Sequence, residues 1–200
     1  MSDNDRKVNV IITLVVSVVV ILIVVKAWKF FVPTYNELVN LQENANQAES
    51  NVKNMMQRRI ELIPDLVAIV EEETKHSDKA LKDINDTAGE LKDILESANT
   101  TDEMSAVNKE ASKQMDKLLE IARENFTVKD SYSRLSAQVE GSVTRVALAR
   151  QRYNSEATKY NAAIREIPNC IVAKMLGFKP MNLFEADKEA NKTRVIEWDD

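Results

Sequence analysis

The chain opens with an uncharged apolar run, Val8–Val25, broken only by Asn9, Thr13 and Ser17. After it, apolar residues recur every three or four positions as far as Ile167. Eighteen helical residues span roughly 27 Å, close to the hydrocarbon thickness of a bilayer. The run therefore predicts a transmembrane helix. Arg6 and Lys7 close one end. Lys26 and Lys29, with Trp28, Phe30 and Phe31, close the other as an interfacial belt would. A cleaved signal peptide has a shorter apolar region and small residues at its cleavage site. Lys-Ala-Trp-Lys-Phe-Phe is a poor match to that, and so continuous a Val/Ile run is a poor match to a buried core helix. The basic residues on the two flanks balance, and orientation is only narrowly tipped toward a soluble part outside the cytoplasm.

Beyond the run the spacing predicts long amphipathic helices. Positions 38, 41, 45, 48, 52 and 55 form one seam, with Met56, Ile60 and Ile63 beside it. So broad a face suits a helical bundle better than a two-stranded coil. Pro33 is expected near the start of this helix. Pro64 falls inside the pattern and predicts a kink or short break. A second helix carries Leu81, Ile84, Ala88, Leu91, Leu95 and Ala98. Asn99–Asp102 predicts a loop, with Thr101 or Asp102 capping a third helix that carries Met104, Val107, Ala111, Leu118 and Ile121, interrupted by Gln114. Asn125–Thr127 predicts another boundary. A final long helix is expected over 128–167, on a seam from Tyr132 to Ile167 broken by Ser142 and Glu156, and ended by Pro168. Cys170–Gly177 is a short apolar piece that can continue as helix, with Gly177 as its stop.

The expected fold is all-α: one N-terminal transmembrane helix followed by an elongated antiparallel three- to four-helix bundle. The divisions are a tail over 1–7, an anchor over 8–31, a bundle domain over 34–178 and a C-terminal tail over 179–200, partly docked. Three glycines and four prolines in 200 residues leave little material for tight-turned sheets or a Gly-rich phosphate loop. A net charge of −5 lacks the basic excess of a nucleic-acid binder. One cysteine allows no intrachain disulfide framework.

Candidate chemistry is sparse. His76 is the only histidine, and Glu72 lies four residues before it; two ligands do not define a metal site. Cys170 has no signature of a nucleophile around it. No catalytic, cofactor-binding or metal-binding residues are assigned, and no small-molecule substrate is evident. Interaction candidates remain: Arg58 and Arg59, the acidic stretch Glu71, Glu72 and Glu73, and Arg150 and Arg152. Arg59 falls on the apolar seam, so it should reach the bundle edge or pair with a carboxylate. Three Tyr-Asn pairs stand out, at 35/36, 153/154 and 160/161. The last two are seven apart and stack on one helix face, either as core rings with locally bonded amides or as a binding surface.

Several blocks occur in order: Tyr35-Asn36-x-Leu38-Val39, Gln57-Arg58-Arg59, Leu62-Ile63-Pro64-Asp65-Leu66-Val67, Ala149-Arg150-x-x-Tyr153-Asn154, Tyr160-Asn161, Ile167-Pro168, Gly177-Phe178 and Phe184-Glu185. In this ordered set the chain resembles the LemA family of bacterial membrane-anchored proteins. The resemblance implies an elongated helical bundle behind one membrane helix, no established catalytic activity, and loose links to membrane-protein quality control and envelope functions. It carries over no catalytic residue. The function expected is a non-enzymatic, single-pass scaffold or adaptor of the bacterial cell membrane. It would be held in the bilayer by residues 8–25, with a protein partner or a second copy of itself. The alternative is a protein that binds or shapes lipid directly; a metal-dependent hydrolase stands behind both.

Overall fold

In a computed structural model the described residues are 3–74, 79–126 and 129–185, and all their regular structure is helical. The elements are α1 (Asp3–Thr74), α2 (Lys79–Ser97), α3 (Thr101–Asn125), α4 (Lys129–Ala163) and α5 (Asn169–Leu176). They divide into two compact units. One comprises Met1–Asn44 with Lys159–Met181; the other comprises Ala45–Thr158 with Asn182–Asp200.

The first unit holds the apolar run. From Ile12 to Val25 its large apolar side chains are 45–61% exposed, so this stretch of helix buries nothing against the protein. It is long and apolar enough to cross a membrane. Past it, Leu38 packs with Tyr160, Ala163, Ile164, Val172 and Ala173, and Phe31, Leu41, Phe178 and Met181 close around them. Gly177 ends α5 in the left-handed region at φ 77°, which lets the Phe178 N–H reach the Ala173 carbonyl at 3.0 Å. The ring of Phe178 then meets the exposed Tyr35 edge-on, with centroids 6.3 Å apart.

The second unit is an up-down-up-down bundle of four helices, and its polar cross-links give the register. Lys53 donates to the Glu96 and Ala98 carbonyls, while Lys92 meets Glu61 at 3.5 Å, so α1 and α2 run oppositely. Ser142 on α4 reaches Met115 on α3. Ser131, near the start of α4, donates to Glu73, near the end of α1, at 2.9 Å. The core is lined by Val52, Met56, Ile63, Leu66 and Val70 of α1, the whole Leu81-to-Ala98 seam, Met115 and Leu118 of α3, and Leu135, Val139 and Val146 of α4. Each large apolar side chain fully buried there contributes about 1.5–3 kcal/mol.

Four local expectations are corrected. The helix neither restarts at Pro33 nor breaks at Pro64; α1 runs through both. Each proline stands on an exposed face. Around Pro64 the packing of Ile60, Ile63, Leu66 and Val67 on the opposite face outweighs the single hydrogen bond lost. The cap of α3 is Thr100, not Thr101 or Asp102. Its hydroxyl accepts from the Glu103 N–H, and the Glu103 carboxylate accepts from Thr100 and Asn99 N–H in return. On α3 the buried stripe takes in Gln114 and Ala122 and leaves Ile121 half-buried. Finally, α4 stops at Ala163, four residues early, and Ile167 is 86% exposed in the turn before α5.

Candidate functional site

Five residues of α4 hold the main chain of the segment after α5, and each of the two units holds part of this arrangement. In the second unit Tyr153 donates its hydroxyl to the Asn182 carbonyl at 2.7 Å. The Asn154 amide bonds Phe184 twice, giving its N–H to the Phe184 carbonyl at 2.8 Å and accepting the Phe184 N–H at 2.9 Å. Arg150 donates to the Glu185 carbonyl at 2.6 Å and lays its guanidinium 5.1 Å from the Phe184 ring centre. That ring also packs edge-on against Tyr153, at 5.2 Å. In the first unit Tyr160 donates to the Lys179 carbonyl at 2.9 Å, and Asn161 bonds both the carbonyl and the N–H of Met181 at 2.8 Å.

The same hold is thus made twice, by the two Tyr-Asn pairs seven residues apart. The carbonyls taken by the two tyrosines, at 179 and 182, and the peptide groups taken by the two asparagines, at 181 and 184, are each three residues apart. Tyr153 and Tyr160 are also core rings, 2% and 0% exposed. Burial raises the pKa of both phenols. Tyr153 is pushed up to about 12, by desolvation first and by the Glu49 carboxylate second. Desolvation also raises Glu49, offset in part by Lys53.

The arginine and glutamate candidates separate into buried and exposed groups. Arg59 does not reach the bundle edge. It is 3% exposed and donates to the Asn108 side-chain carbonyl at 2.7 Å, with Asn108 itself buried. Arg150 is buried and holds the C-terminal segment as described. Arg58 and Arg152 are exposed. Glu71 is half-buried, Glu72 and Glu73 are exposed, and Glu73 accepts from Ser131. Arg59 and Glu71 lie twelve residues apart on α1, roughly 18 Å along its axis.

His76, Asp78, Thr127 and the tail from 186 onward, with Val195, Ile196 and Trp198, lie outside the described residues. Among the described residues no group of three His, Cys, Asp or Glu side chains is placed to hold a metal ion. A shallow concavity of α3 is lined by Lys109, Lys113 and Lys117 with Glu110, Asp116 and Glu120, all from that one helix, so it is an open charged face.

The tyrosines and asparagines signalled themselves by their spacing. Their partner was marked only by Phe178 and Phe184 at its ends: the stretch between them, held largely by its main chain, carries no matching side-chain pattern. Compared with known proteins, residues 48–197 match the model of the LemA family. That match begins after the Tyr35-Asn36 block and takes in both later Tyr-Asn pairs. No curated protein matches the chain.

Proposed function

We propose that this chain, which belongs to the LemA family, is a membrane-tethered helical scaffold that docks a protein partner, or a second copy of itself, at a bacterial cell membrane. One observation carries the reading: α1 supplies both the apolar run and, from Val52 to Val70, a wall of the bundle core. The same helix is anchor and building element, which suits a protein whose work is to present a surface beside lipid. The family is not a known enzyme family, and an all-helical fold suits a non-enzymatic role. Arg58, Glu72 and Arg152, exposed on α1 and α4, are the charged groups offered to a partner. The soluble part is placed outside the cytoplasm in this reading.

Site-specific photo-crosslinking in intact membranes tests it, with the probe at Arg58, Glu72 or Arg152. Discrete higher-mass products that disappear on Arg58→Glu or Arg152→Glu support a docking surface. Monomer alone at all three positions overturns it. Direct reshaping of lipid, the alternative, predicts that the purified full-length chain deforms vesicles with no partner present.

A further inference from the structure

The eight residues of α5 have two apolar faces, and only one is used. Val172 and Ala173 are 1% and 2% exposed, packed on Leu38, Tyr160, Ala163 and Ile164. On the other side Ile171 is 63% exposed and Met175, four residues on, 64%; Leu176, on the packed side at the end of the helix, is 46% exposed, and Ile167 stands out in the preceding turn. Ile171 and Met175 are neighbours on one helix face, and with Ile167 just before them they put three large exposed apolar side chains within nine residues, more than the scattered single residues normal for a protein surface.

The place of this patch identifies what covers it. The cluster that seats α5 also takes in Phe31 of α1. Phe31 follows Val25, the last residue of the apolar run, by six residues, about 9 Å of helix. Trp28 and Phe30, both exposed, lie between them. The patch therefore sits level with the head groups if the run spans a bilayer. Charge agrees. Residues 164–181 carry Arg165, Lys174 and Lys179 against Glu166, a local net of +2 in a chain of net −5. All three basic residues are exposed. An exposed apolar helix face with a basic residue on the helix and one to either side of it in the chain suits an interfacial position, and such basic groups are drawn to anionic lipid.

We propose that α5 is a second, peripheral lipid contact, lying in the head-group layer beside the span with Ile167, Ile171 and Met175 turned into the lipid. The proposal rests on the reading of 8–25 as a membrane span. It adds that the chain touches the bilayer again at a site that begins with Ile167, far along the chain from Val25.

Spin labels on the full-length chain in vesicles of phosphatidylcholine and phosphatidylglycerol test it. In a Cys170→Ser background, single cysteines are placed by Ile171→Cys, Met175→Cys, Val19→Cys and Lys92→Cys. Collision with oxygen against a water-soluble nickel chelate reports depth. The expected order puts the Val19 label deepest, the 171 and 175 labels at an intermediate oxygen-preferring depth, and Lys92 in water. If 171 and 175 match Lys92 while Val19 stays deep, the α5 contact is overturned and the anchor stands. If Val19 also reads as water, the anchor reading has failed and this one with it. Labels that are aqueous in vesicles but shielded in native membranes assign the patch to a protein and overturn the lipid assignment.

Discussion

Asn154 and Phe184 meet as an amide meets a peptide group, donor to acceptor in both directions, at 2.8 and 2.9 Å. The asparagine side chain therefore stands in for a neighbouring strand, and an isosteric acid cannot do the same. Asn154→Asp keeps the shape but replaces the donor with a second acceptor facing the Phe184 carbonyl. The expected cost is about 1–3 kcal/mol of local stability. Hydrogen exchange checks it: the Phe184 amide should lose protection in the variant, while amides in the middle of α2 keep theirs.

Arg59 and Asn108 form a buried polar pair whose members depend on each other. Asn108→Leu removes the acceptor and leaves the guanidinium's N–H directed at apolar atoms, for an expected loss of about 2 kcal/mol. Arg59→Met in addition should return much of that loss, because the buried charge goes with it. Urea unfolding of the wild type, both single variants and the double variant gives the coupling energy. Strict additivity would contradict the pairing.

Thr100 and Glu103 satisfy each other's backbone at the start of α3. The bonds from the Asn99 N–H and from Thr100 hold the Glu103 carboxyl below its ordinary range. Thr100→Ala should cost about 1 kcal/mol. Asp102→Ala, one position inside the helix, should cost clearly less. The thermal midpoints of the two variants rank them.

Tyr153 is expected to make the bundle sensitive to alkali. Its folded pKa, about 12, lies above the ordinary value of 10.0, so the folded state holds the phenol proton more tightly than the unfolded chain does. That contribution is complete below pH 10 and is lost as the pH rises toward 12. Tyr153→Phe has no proton to lose. It should unfold with a shallower pH dependence over that window, followed by circular dichroism.

How far the fold could be read in advance depends on what repeats. Every apolar position assigned to α2, from Leu81 to Ala98, is buried. On α4 the three-four spacing holds from Leu135 to Tyr153, after which Ala157 takes the place assigned to Glu156. The shift is local, because the seam returns at Tyr160 and Ala163, both buried. Ile121 yields to Ala122 on α3 in the same sense. Pro64 misled for a different reason: a helix packed on both sides of it, at Ile60, Ile63, Leu66 and Val67, tolerates a missing bond that an isolated one would not. Arg59 was visible as a charge on an apolar seam, but its partner was not, because Asn108 lies 49 residues away on another helix.

The Tyr-Asn holds grip carbonyls and N–H groups, which every residue but proline supplies. Substitution at 179, 182 and 183 should therefore be widely tolerated, with Met181, packed on the core cluster, kept apolar and Phe184, wedged between Tyr153 and Arg150, as the fixed point. A selection on randomised codons would show a permissive stretch running into one obligatory aromatic ring. An alignment scored on side-chain identity would undervalue this segment, since it is anchored by atoms that mutation does not change.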